Sequence, residues 1–322
     1  MFTDKTAVSA LSAFRIGQAQ NEEAATGCTV IVCAAGAVCG VDVRGGSPGT
    51  RDTDALHPLC NRKTVHAVVL SGGSSFGLDA AGGVVRFLEE KGIGRDAEVA
   101  RIPNVCAAIL FDLKCGAANI RPNDAMGYAA CANAFLNQPF ASGNFGAGTG
   151  ATVGKARGAA HAMKGGIGAA AFRHGALLVG AVAAVNCVGD VMHNDKIIAG
   201  TRGGNGKRFA DSEQSLLDEY QTPKDFFSGN TVLGCVVTNA RLDKPAAAKL
   251  AAHGQNGIAR TIRPAHSTFD GDTVFAMCSG EIEATADAAG ILAARAMEAA
   301  ILDAAYSAKA LHGYPAAEDM AE

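Results

Sequence analysis

The sequence predicts an α/β (α+β) fold in which two stacked, mixed β-sheets lie between outer helices. Three observations predict it. Strand-like text rich in Val, Ile, Cys and Ala recurs along the whole 322-residue chain, in a quantity that suits two sheets. Helical stretches separate some of these strands, but the regular alternation of an all-parallel sheet lapses beyond about residue 140. Small residues are abundant (40 Gly, no Trp, 6% aromatic), so backbones in neighbouring layers can approach closely.

From the N-terminus, TGCTVIVC and AVCGVDV read as two strands about a turn at Ala35-Gly36, a hairpin. Arg44 to Asp54, RGGSPGTRDTD, is loop by composition. Thr64 to Ser71 is a buried strand. GGSSFG then turns the chain into an amphipathic helix from Leu78 to Lys91, closed by Gly92. CAAILFDL gives another strand and AMGYAACANAF another helix. The Gly-rich middle, Gly143 to Gly158 followed by KGGIGAAAF and ALLVGAVAAVNCVGDV, reads as strands lying against another layer. DSEQSLLDEY is a short exposed helix between the linker-like segments RGGNGKR and QTPKDFFSGN. From Thr231 come a strand to Ala240, a helix from Lys244 to Ala259 and a strand at DTVFAMCS. The last helix, within ATADAAGILAARAMEAAILDAAYSAKAL, is Ala-rich on every side, which calls for cover by other layers or other subunits.

Charge and composition narrow the function. Lys and Arg number 28 against 31 Asp and Glu, with no long run of like charge, so the expectation is no nucleic-acid partner. The longest apolar stretch, Gly175 to Gly189, is short and Gly-broken, so no membrane span is expected. The opening MFTDKTAVSALSAF lacks the basic-then-apolar order of a signal peptide, and a soluble cytoplasmic protein is expected. None of the ten cysteines forms a Cys-x-x-Cys pair, and Cys33, Cys106, Cys187, Cys235 and Cys278 sit in apolar strand text. They read as reduced core residues, with no metal and no cofactor expected.

Several motifs fail on spacing or context. GAGTGATVGKA ends in Gly154-Lys155 but places Thr149 where a phosphate loop needs Gly, and Ala156 where it needs Ser or Thr. GSSFG, Gly73 to Gly77, matches a nucleophile elbow centred on Ser75, with Asp190 and His266 as formal partners. The ordinary alternative is a Gly/Ser turn that caps a helix. There is no His-Glu-x-x-His, and the other histidines are scattered.

A different constellation surrounds Thr231, where the polar turn Ser228-Gly229-Asn230 drops into the apolar run Val232 to Val237. A Thr opening a strand is ordinary by itself. Its company is less so. Asn186 is a lone amide in an apolar strand, costly to bury without partners. Lys155 closes the Gly-rich segment. Asp270 and Asp272, two apart in HSTFDGDTVFA, share one face if extended.

These segments (DVRGGSPGTRDTD, LSGGSSFGLDAAGGV, GAGTGATVGKA, VNCVGDV, GNTVLGCVVTNARLDK and STFDGDTVFA) occur in an order that resembles the DmpA-like peptidases, over roughly residues 10 to 312. That family includes the L-aminopeptidase/D-esterase, β-aminopeptidases and a nylon-oligomer hydrolase, and it shares its fold with ornithine acetyltransferase. The resemblance implies a four-layer αββα sandwich. It also implies a precursor that cuts itself between Asn230 and Thr231, giving an α-chain (1–230) and a β-chain (231–322) within one structural domain. By the same resemblance Thr231 is the nucleophile and its freed α-amine, with a reference pKa of about 7.7–8.0, the base. Asn186 would donate to the oxyanion, Asp270 would orient the amine and hydroxyl, and Asp272 would hold Lys155, whose charge lowers the amine's pKa. The implied partners are a small peptide or amide substrate and further copies of the chain, a homo-oligomer of four or more. The Thr-Asp-Asp set is closer to the nylon-oligomer hydrolase than to the aminopeptidases, which carry Ser with a Ser/Glu pair. An acyltransferase on the same scaffold, a Ser75-based hydrolase and a non-catalytic binding protein are the competing readings.

Overall fold

The computed structural model of the protein describes residues 3–136, 138–204, 206, 208–221 and 229–320; most of the linker-like QTPKDFFSGN, including Ser228, lies outside them. Ten strands carry the architecture: Asp4–Thr6 (β1), Arg15–Asn21 (β2), Thr26–Val43 (β3), Thr50–Arg51 (β4), Val65–Ser71 (β5), Val105–Ile109 (β6), Gly166–His174 (β7), Leu177–Asn186 (β8), Thr231–Arg241 (β9) and Thr273–Glu283 (β10). Hydrogen bonding runs β1-β7-β8-β9-β10-β3-β5-β6-β4, with β2 also on β3. β9 pairs with β10, and β5 with β6, in parallel; the other pairs along this path are antiparallel.

β3 belongs to two layers. Its first half lies between β2 and β5, and its second half pairs with β10. The period-2 alternation of side chains then builds three cores. Leu233, Cys235 and Val237 of β9, Val182 and Ala184 of β8 and Phe275 and Met277 of β10 meet Ile31, Val68, Leu70 and Cys106 of the other layer. The opposite face of β8, β9 and β10 (Val185, Val232, Val236, Val274) packs on helices Lys244–Thr261 and Ala286–Ser307. The opposite face of the second layer (Val30, Val32, Val69, Ala107) packs on helices Ala80–Glu90 and Asp124–Phe135. The fold is therefore the predicted four-layer αββα sandwich. Three helix N-termini are capped: the Asp243, Thr285 and Asn123 side chains accept from the backbone N–H three residues on. The Ala-rich final helix is covered within the chain, by β7, β8 and the preceding helix. No helix among the described residues is long and apolar enough to cross a membrane.

Two local expectations are corrected. The hairpin at Ala35-Gly36 does not form: Thr26–Val43 is a single strand of 18 residues. Gly36 takes φ = 82° and the register to β5 shifts between Val32 and Ala37, so the chain bulges instead of reversing. Both halves already have partners in different layers, which removes the need to pair with each other. The Gly143 to Gly158 segment is not a run of strands; Thr152–Val153 forms a short paired strand and Gly143 makes an isolated bridge to Ile167. The carbonyls of Gly148, Thr149 and Ala151 turn inward to the Lys164 ammonium, and Ala151 O also accepts from Gly165 N–H.

Candidate active site

The start of β9 and the end of β8 meet in register, Thr231 opposite Asn186. The alternation that sends Leu233 and Ala184 between the sheets sends these two side chains the same way. Thr231 is 3% exposed, and Asn186 and Asn230 are fully buried. The Thr231 hydroxyl donates to the carbonyl oxygen of Asn230, the residue just before it. The same carbonyl oxygen accepts from Gly271 N–H at 2.7 Å. Two donors thus converge on the peptide bond between Asn230 and Thr231. A Cβ at residue 271 would lie 2.7 Å from Thr231 Oγ1, so only glycine lets that loop pass so close.

Asn186 has its amide fixed at both ends. Its Oδ1 accepts from Lys155 Nζ and from Thr152 N–H, each at 2.9 Å. Its Nδ2 donates to Phe111 O at 3.0 Å and Gly229 O at 3.2 Å. The costly lone amide is therefore fully partnered, and the cation on Oδ1 prevents the amide from flipping. Lys155 also donates to Asn186 O at 2.9 Å, and burial pushes its amine down to about 7.

The two carboxylates sit in the loop before β10, and they are not adjacent positions of a strand as the spacing suggested. Backbone bonds from Arg44, Gly45 and Ser47 to the carbonyls of Asp272 and Asp270 clamp this loop. Asp270 accepts from Val188 N–H at 3.2 Å and from the Ser267 hydroxyl. Its pKa is raised to about 6, first by burial and then by the nearby charge of Asp272. Asp272 Oδ1 accepts from Val232 N–H at 2.7 Å, one residue past Thr231. Its Oδ2 accepts from His266 N–H at 3.1 Å and lies 2.8 Å from His266 Nδ1.

All five site residues are thus near the head of β9, but two pairings differ from expectation. Lys155 holds Asn186 where Asp272 was expected, because Asp272 is taken by His266 and Val232. Asp270 bonds Val188 and Ser267, and the Thr231 nitrogen is still tied up in a peptide bond. Motif reasoning left out Gly271 and gave His266 only to the Ser75 elbow. The competing elbow does not assemble. Ser75 is exposed on the 3-10 turn Ser74–Asp79. Its formal partner Asp190 accepts from Thr201 N–H and from Ser212 N–H and Oγ, and the other partner, His266, is bonded to Asp272.

Solved structures of the same shape show the type of fold. A β-aminopeptidase of Burkholderia sp. superposes with a TM-score of 0.67 at 20% identity, covering 95% of this chain and 88% of that one. The L-aminopeptidase D-Ala-esterase/amidase of Ochrobactrum anthropi gives 0.68 at 18% identity, covering 94% and 86%, and is described as a variant among the Ntn hydrolase fold. The sandwich is of that type.

The chain belongs to peptidase family S58, whose model matches residues 7–318. An uncharacterized aminopeptidase of Mycobacterium leprae is 39% identical over 285 residues, 82% of this chain and 74% of that protein. A 6-aminohexanoate-oligomer endohydrolase of Kocuria sp. is 32% identical over 308 residues, 90% of this chain and 83% of that one. The resemblance read from the motifs is borne out, and the protein is a hydrolase of the aminopeptidase/amidase kind.

Proposed function

We propose that the protein is a self-processing amide hydrolase that cuts its own Asn230–Thr231 bond and then uses Thr231 as an N-terminal nucleophile. The observation that carries this reading is the scissile carbonyl itself: Asn230 O accepts from both the Thr231 hydroxyl and Gly271 N–H. In the first step Thr231 Oγ1 attacks the Asn230 carbonyl carbon. Gly271 N–H stabilises the oxyanion, an interaction worth about 3 kcal/mol when well aimed. The C–N bond breaks, the hydroxyl proton passes to the departing nitrogen, and an ester joins residues 230 and 231. Water hydrolyses that ester, freeing the Thr231 amine and an Asn230 carboxylate.

The freed amine serves as the base for the hydroxyl on its own residue. Once Gly229 and Asn230 withdraw, Asn186 Nδ2 loses its Gly229 acceptor and can donate to a substrate oxyanion, with Lys155 holding its amide in place. A substrate amide is attacked, its amine leaves, and water releases the acyl group from Thr231. While Lys155 is protonated its charge favours the neutral form of the Thr231 amine, and Asp272 holds the strand head through Val232 N–H. The two pieces, 1–230 and 231–322, stay together because β9 lies between β8 and β10 in the middle of a sheet. A small peptide or amide is the substrate class, in a cytoplasmic homo-oligomer.

The deciding variant is Thr231→Ala, expected to remain full length and to lose at least about a thousand-fold in amide hydrolysis. Thr231→Ser should still cut and turn over. A Thr231→Ala protein with ordinary activity would transfer the nucleophile's role to another residue, Ser75 first.

A further inference from the structure

His266 is a residue for which the reading above has no use, yet it is unusual in three ways. It adopts φ = 57°, a left-handed conformation that non-glycine residues seldom take. Its backbone N–H and its ring Nδ1 both converge on one oxygen of Asp272, at 3.1 and 2.8 Å. Its Nε2 is buried with no hydrogen-bond partner among the described residues. An ionised carboxylate oxygen can only accept, so the bond at Nδ1 requires Nδ1 to carry the proton. The left-handed backbone aims both donors at the same atom.

Counting donors among the described residues separates the two aspartates. Asp272 receives three: Val232 N–H, His266 N–H and the His266 ring. Asp270 receives two, Val188 N–H and the Ser267 hydroxyl. Hydrogen bonds donated to a carboxylate favour its anion. Burial and then the neighbouring Asp272 push Asp270 up to about 6, which makes Asp270 the member of the pair placed to take up a proton near neutrality. The other ionisable groups that act on this pair are Lys155, which lowers Asp270, and the thiol of Cys187, which feels both aspartates, Lys155 and Asp190.

We propose that His266 is a positioning residue for both processing and turnover: its ring N–H holds the Asp272 carboxylate aimed at Val232 N–H and so fixes the strand head at Thr231 in both steps, leaving Asp270 as the member of the pair that exchanges a proton with the Thr231 amine once that amine is freed. The proton accounting is simple. Asp270 and the amine share one proton, which moves from nitrogen to carboxylate as the amine becomes free base and returns as the leaving group departs. His266 donates throughout without giving its proton up. The inference rests on Thr231 being the nucleophile.

The test compares His266→Gly with His266→Asn in the full chain. Glycine accepts the left-handed backbone but removes the ring donor; asparagine tolerates the same backbone and can place an amide N–H near the position of Nδ1. Self-cutting is followed by denaturing gel after synthesis. The pH profile of kcat and KM is followed with an amide substrate. His266→Gly should cut at least about ten-fold more slowly, with KM little changed. Its acidic limb should move up by about one pH unit, because a carboxylate stripped of a donor protonates more easily. His266→Asn should restore rate and limb to within about three-fold and a few tenths of a unit. If His266→Gly loses rate equally at every pH, or behaves like the wild type, the proposal is wrong. Should His266→Gly fail to fold, as read by its melting temperature, His266→Ala takes its place with the same required limb shift. An unsplit, fully active wild type would sink the Thr231 reading instead, whatever the His266 variants do.

Discussion

Two lysines, nine residues apart in the Gly-rich middle of the chain, are both buried, and both have amines depressed by that burial: Lys155 to about 7 and Lys164 to about 8. Burial and pKa alone would treat them as equivalents. What they hold separates them. Lys164 donates to three backbone carbonyls, Gly148, Thr149 and Ala151, at 3.4, 3.1 and 2.6 Å, and so gathers a loop that has no ladder of its own. Lys155 donates to the backbone and side-chain oxygens of Asn186, the residue paired with Thr231. One cation staples a turn, and the other orients an amide that faces the reacting bond. A buried charge becomes a functional candidate through its partner, not through its depth.

The sharpest way to break this comparison is to remove each ammonium with methionine. Lys155→Met should lower amide hydrolysis and self-cutting by about a hundred-fold or more, since Asn186 loses the contact that fixes its orientation. Stability should change by only about 1 kcal/mol, because Thr152 N–H still serves Asn186 Oδ1. Lys164→Met should do the reverse. It takes a donor from three carbonyls, of which Gly148 O keeps Ala151 N–H and Ala151 O keeps Gly165 N–H, and should cost about 1–3 kcal/mol in chemical denaturation, while activity per folded molecule stays within about three-fold. Equal activity losses in the two variants would erase the distinction.

A smaller effect sharpens it. Each lysine binds a proton more tightly in the unfolded chain, where the reference value is 10.5, than in the folded one. Stability therefore rises with pH between the folded and unfolded values, at up to about 1.4 kcal/mol per pH unit for each group. Below the folded value the burial cost is present in full. The window opens near pH 7 for Lys155 and near pH 8 for Lys164. Asp112 and Asp270, raised to about 6, lose their contribution as pH rises through that value and are silent above 7. Lys155→Met should thus flatten the stability slope between pH 7 and 8, and Lys164→Met should not. Urea midpoints at half-unit pH steps measure it.

Much of this was legible in the sequence where a pattern repeats. The unbroken apolar runs Val232 to Val237 and Ala181 to Val185 mark buried strands, but with both faces apolar they leave open that Thr231 and Asn186 share an inner face, which the register of the two strands decides. Long-range choices were not. Ala35-Gly36 has the composition of a turn, yet each flank finds its partner in a different layer, and a local reading cannot see either partner. The same holds for Asp270 and Asp272. Spacing suggests a shared strand face, whereas the Arg44 to Ser47 loop clamps them in a turn before the strand begins. His266, six residues before Asp272, was visible as a histidine near a carboxylate. What was not visible is the left-handed backbone that brings both its donors to one oxygen. The roles of Lys155 and Lys164 likewise depend on contacts that Gly-rich composition leaves open.

The central claim concerns one peptide bond, and intact-mass measurement of the purified active protein under denaturing conditions tests it most directly. The account predicts two polypeptides whose masses correspond to residues 1–230 and 231–322, with Thr231 at the second amino terminus. A single undivided chain of full mass in a preparation that hydrolyses amides would contradict it.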